Sequence, residues 1–90
     1  MRLTPARLTA QIKFYTRPNC GLCVMAKSVL RAVHKTHPFE MEEIDITSPG
    51  NQKWFDMYAY DVPVMHFKTD KQDAVVMHRI TREQAQGLLE

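Results

Sequence analysis

Ninety residues suffice for one compact domain with a modest core, because so short a chain cannot divide its apolar residues between two independently stable units. A hydrophobic share of 44% spread along the chain argues against disorder, and no stretch is apolar enough to span a bilayer. The formal net charge is only +2, yet it is unevenly placed: Arg2, Arg7, Lys13, Arg17, Lys27, Arg31 and Lys35 all precede the first acid, Glu40.

The first ten residues carry arginines and threonines but no acid, and residues 1–10 read as a flexible tail or the remnant of a mitochondrial presequence. They hold no hydrophobic signal-peptide core, so an intracellular protein, cytoplasmic or mitochondrial, is expected. The folded domain is assigned to residues 11–90. Gln11 to Thr16 reads as a strand, with Ile12 and Phe14 on one face and β-favouring side chains at its end. Arg17-Pro18-Asn19 breaks it, since proline removes a donor and asparagine favours turns.

From Gly21 the period changes. Leu22, Ala26, Val29, Leu30 and Val33 recur at helical intervals with Lys27, Arg31 and Lys35 opposite, which predicts an amphipathic helix ending between His34 and His37. Phe39 to Ile46 alternates as a strand whose apolar face switches midway. Pro49 to Tyr58 follows as a second helix, with a capping residue ahead of Pro49 in the first helical position. Val62–Phe67 and Ala74–His78 form a hairpin, and Thr81-Arg82-Glu83-Gln84 fits a capping box that opens a third helix. The order β-α-β-α-β-β-α predicts an α/β domain with a partly parallel, four-stranded mixed sheet flanked by helices.

Cys20 and Cys23, three residues apart, would close too small a loop to restrain the unfolded chain much, so a redox role suits them better than a structural staple. Cys20 falls at a helix start, where free N–H groups and the positive end of the helix dipole favour a thiolate. Cys23 lies one turn inward on the same face and is suited to resolving a mixed disulfide formed on Cys20. Arg17 would favour the thiolate electrostatically. The basic first half of the chain would attract an anionic partner such as glutathione or an acidic protein surface.

The run Phe14-Tyr15-Thr16-Arg17-Pro18-Asn19-Cys20-Gly21-Leu22-Cys23 and the later Asp61-Val62-Pro63 resemble the paired active-site elements of glutaredoxins and thioredoxins, over roughly residues 11 to 89. The resemblance implies the thioredoxin/glutaredoxin fold and thiol-disulfide oxidoreductase activity with Cys20 and Cys23 catalytic. It further implies a cis Val62–Pro63 bond against the cysteines, with Val62 offering backbone hydrogen bonds to a bound peptide or to glutathione. Two departures stand out: Gly21 replaces the proline that follows the first cysteine of typical glutaredoxins, and His78-Arg79 stand where their Gly-Gly segment begins. Arg79 or Arg82 is then expected to pair with a glutathione carboxylate, with Thr81 opening a helix start rich in N–H donors.

No tightly bound cofactor is expected, glutathione being a co-substrate, and the partners anticipated for a monomer are a disulfide-containing protein or glutathione. Zinc on Cys20, Cys23, His34 and His37 fails on geometry, since His34 lies about 16 Å along a continuous helix from Cys23. The alternative function is a binding module of the same fold that holds an iron-sulfur cluster or a partner through Cys20. His66 and His78, on neighbouring predicted strands, suit packing or surface roles better than an acid-base pair. Trp54, Phe55, Tyr58 and Tyr60 read as core aromatics before a docking surface. The dispersed basic residues, with no interleaved aromatics, do not suggest nucleic acid.

Overall fold

The computed structural model describes residues 10–90. Its elements are β1 (Gln11–Thr16), α1 (Gly21–His34), β2 (Glu40–Asp45), α2 (Gln52–Tyr58), β3 (Val64–Lys68), β4 (Asp73–Met77) and α3 (Arg82–Leu89). The expected order holds, and the four strands lie in one mixed sheet, β2-β1-β3-β4. β1 runs parallel to β2 across the α1 crossover and antiparallel to β3, which pairs antiparallel with β4. The tail reading falls outside the described residues except at Ala10, which is buried and accepts the Glu40 N–H on its carbonyl at 3.0 Å.

Alternation in β1 divides the core. Ile12 and Phe14 are buried on one face, where the apolar stripe of α1 (Ala26, Leu30, Val33) and Ala85 of α3 complete the cluster. Tyr15 points the other way, its ring 5.0 Å from those of both Trp54 and Tyr58 of α2. Trp54, Phe55 and Tyr58 thus belong to packing, whereas Tyr60 is 96% exposed.

β2 is an edge strand exposed along Glu40–Glu43, with Phe39 and Ile46 buried just beyond its ends. Its switch of apolar face therefore reflects two buried flanks rather than one covered face. The second helix begins later than the sequence suggests. Gly50 adopts φ 90° and Asn51 precedes the first turn, donating from Nδ2 to the Asp45 carbonyl at 2.8 Å. Pro49 therefore sits in the turn rather than in the first helical position. The hairpin is formed, but Val62 and Pro63 precede β3 and His78 follows β4. Thr81 caps α3 as its sequence suggests, accepting the Gln84 N–H on Oγ1 at 3.1 Å.

Candidate functional site

Strand β1 ends in a tight loop that turns into α1, and Asn19 makes the turn at φ 60°, a conformation its short polar side chain tolerates. Cys20 is the N-cap of α1, with extended backbone (φ -110°, ψ 104°) and its Sγ accepting the Cys23 N–H at 3.1 Å. The sulfur thus occupies the place of a capping oxygen, at the positive end of a 14-residue helix. Cys20 and Cys23 are joined as a disulfide, their Cα atoms 5.2 Å apart. Cys20 is partly exposed, whereas Cys23 is 2% exposed and packed into the core. Of the two sulfurs, Cys20 is therefore the one accessible from outside.

The cysteines open on a groove of about 600 Å³ lined by Arg17, Cys20, Cys23, Lys27, Glu43 and Asp45. Here the charge pattern of the sequence does not carry over. The parallel crossover lays acidic β2 beside β1 and α1, so Lys27 Nζ meets Glu43 Oε2 at 2.8 Å and Lys13 stands in register with Glu42. The setting of the cysteines is mixed rather than a cationic field. Arg17 does line the groove, but its Nη1 donates to the Ala59 carbonyl at the C-terminus of α2 at 3.0 Å. Asp45 accepts from the Thr47 hydroxyl and N–H, at 2.6 and 2.8 Å, and these bonds hold its carboxyl below the usual carboxylate range.

Val62 and Pro63 are buried, and the bond between them is cis. Their loop is tied to the segment after β4. His78 donates its N–H to the Pro63 carbonyl at 2.8 Å, and its Nε2 lies 3.3 Å from Asp61 Oδ1. His78 holds φ 73°, a left-handed conformation that glycine adopts most readily. A second groove of about 600 Å³ runs between α1 and this segment, lined by Leu22, Val24, Met25, His78, Arg79 and Thr81 among others. Val24 lines both grooves. Arg79 and Thr81 thus lie beside the cysteine-bearing helix, but in a different groove from Arg17.

His66 and His78 are not a pair. His66 stands opposite Lys13 and Val75 in the sheet with its Nε2 3.0 Å from the Tyr58 hydroxyl, while His78 faces Asp61. Burial first, and the Lys13 charge second, push the His66 imidazole below its usual value. Burial likewise pushes the Tyr15 phenol up, helped by Tyr58 and Glu42. His34 contacts the Phe39 carbonyl and His37 contacts Glu90, both at the far end of α1 from the cysteines. Among the described residues no group of three or more His, Cys, Asp or Glu side chains is placed to hold a metal ion. No described helix is long and apolar enough to cross a membrane.

Sequence reading missed Lys27, Glu43 and Asp45 as groove residues. Lys27 could have been found from its position four residues beyond Cys23, one turn along the same face. The two acids could not, because their approach depends on the parallel register of β2.

The family model for a glutaredoxin-like domain (DUF836) matches residues 11–90. A glutaredoxin-like protein YDR286C homolog of Dictyostelium discoideum is 40% identical over 76 residues, which is 80% of this chain and 68% of that protein. The solution structure of protein Ne2328 from Nitrosomonas europaea is similar in fold at a TM-score of 0.72, with 23% identity and 100% of both chains covered. Thioredoxin O2 from Arabidopsis thaliana superposes at a TM-score of 0.68, with 16% identity over 89% of this chain and 71% of that one. With the helix-capping cysteine pair and the sheet order described, the chain belongs to the glutaredoxin-like domain family and carries a thioredoxin-type fold.

Proposed function

We propose that the protein is a thiol-disulfide oxidoreductase working through the Cys20/Cys23 dithiol. The observation that carries this reading is Cys20 as the N-cap of α1, partly exposed and within disulfide reach of a shielded Cys23. In the reduced protein the Cys20 thiolate attacks a substrate disulfide, one substrate sulfur departs as thiolate, and a mixed disulfide remains on Cys20. Cys23 then attacks Cys20 Sγ, releasing the second substrate thiol and leaving the Cys20–Cys23 disulfide. Each cycle moves two electrons from the enzyme's thiols to the substrate, and an external thiol such as glutathione restores the dithiol.

The substrate is a disulfide-containing protein or a glutathione mixed disulfide, with the backbone of Val62 before Pro63 offering hydrogen bonds to it. Arg79 and the start of α3 at Thr81 provide a cation and N–H donors for a carboxylate in the adjoining groove. Arg17, bound to Ala59, adds positive potential rather than a direct contact with the sulfur. A protein working this way suits a reducing intracellular compartment, cytoplasm or mitochondrion.

The test is reduction of a glutathione mixed disulfide by wild type, Cys20→Ser and Cys23→Ser. Cys20→Ser should be inactive, and Cys23→Ser should keep partial activity only where glutathione itself resolves the intermediate. Equal rates in all three proteins would overturn the reading.

A further inference from the structure

Cys23 has a difficulty that Cys20 does not. It is 2% exposed and packed in the core, an environment that disfavours a thiolate, and it lies a full turn inside the helix start that assists Cys20. The second step of the proposed cycle nevertheless needs Cys23 as a nucleophile. We propose that Lys27, held over the groove by Glu43, is the electrostatic partner that makes Cys23 a competent resolving thiol; the inference rests on the dithiol reading above.

The charged groups lining the groove with Cys23 are Arg17 from the loop before α1, Lys27 from α1, and Glu43 and Asp45 from β2. From α3, the buried residue packed into the shared core is the uncharged Ala85. Arg17 is directed to the Ala59 carbonyl and Asp45 to Thr47. Of the two cations that line the groove, Lys27 is the one on the helix of Cys23, four residues on and one turn along the same face, whereas Arg17 stands in the loop before α1. Its ammonium is paired 2.8 Å from Glu43 Oε2 with the lysine side chain 25% exposed, which fixes its position at the groove while the carboxylate offsets part of its field.

As Cys23 ionises, its proton passes to groove water, and Lys27 stabilises the thiolate left behind. The Cys20–Cys23 bond then forms as the bond from Cys20 to the substrate breaks. The departing thiolate takes up a proton from solvent, so the two enzyme thiols are oxidised and the substrate disulfide is reduced.

An aromatic disulfide, 5,5'-dithiobis(2-nitrobenzoate), separates the two steps. The reduced protein should release one thionitrobenzoate as Cys20 attacks and a second as Cys23 resolves. Lys27→Met should slow the second phase about tenfold relative to the first at neutral pH and move the second phase's pH midpoint upward by about one unit, with circular dichroism reporting an intact fold. Lys27→Arg should restore the second phase. An unchanged midpoint in Lys27→Met would overturn the role of Lys27 and leave the dithiol reading standing. Release of a single equivalent by the wild type would overturn the dithiol reading, and this inference with it.

Discussion

Cys20 and His66 are placed by the same fold and respond to opposite surroundings. Cys20 gains from a helix end that favours negative charge, and it is exposed enough to be reached. His66 is half-buried beside Tyr15 and Tyr58, with Lys13 across the strand pair, so the folded protein prefers its neutral form. Its folded-state value lies below the ordinary value of about 6.5. Between the two values the unfolded chain binds more protons than the folded one. Stability due to neutral His66 is therefore fully present above about pH 6.5 and is lost as pH falls through the folded value. Urea denaturation at pH 7.5 and 5.5 should show wild type losing more stability on acidification than His66→Gln. Equal losses would contradict the assignment. Asp45 acts in the same direction in a more acidic window, since its lowered value makes its contribution present above the ordinary carboxylate range and lost below it.

Among the elements, α1 does most to create the site, and its first turn carries a substitution that the sequence marks as unusual. Gly21 occupies the first helical position, a Cβ added there meets nothing within 4 Å, and the preceding Cys20 already has the extended backbone that a following proline demands. Gly21→Pro is expected to stabilise the domain by about 0.5–1 kcal/mol, chiefly by restricting the unfolded chain. A lowered denaturation midpoint would show that the loop needs glycine's freedom.

The sequence made β1 and α1 legible because their periodicity and their breaker, Arg17-Pro18-Asn19, agree with one another. Thr81 was legible for the same reason, a capping oxygen and the N–H it accepts lying three residues apart. The start of α2 was not, because a proline after a polar residue signals a helix start and a turn equally well, and the Asn51 bond to the Asp45 carbonyl settles the choice. His78 also escaped, since only the path of the chain into α3 imposes its left-handed backbone.

Over the whole molecule, charges segregated along the chain are interleaved in space. Every acid lies at or after Glu40 in sequence, yet β2 sits against β1 and sends Glu43 to Lys27, so the cysteine groove presents both signs. On the proposed function, a disulfide substrate would meet the capped sulfur of Cys20 and a mixed-charge rim rather than uniform positive potential. The tight cysteine spacing also separates chemistry from folding. A disulfide closing so short a loop contributes only about 2 kcal/mol through chain entropy, beside a two-sided core around Phe14 and Tyr15.

That separation makes the most direct test of the account a trapping experiment. Reduced Cys23→Ser protein, mixed with a disulfide-bonded protein substrate and analysed by mass spectrometry after peptide digestion, should accumulate a covalent adduct through Cys20, while wild type passes to its internal disulfide. An adduct carried by Cys23 in a Cys20→Ser protein, with none on Cys20 in Cys23→Ser, would contradict it.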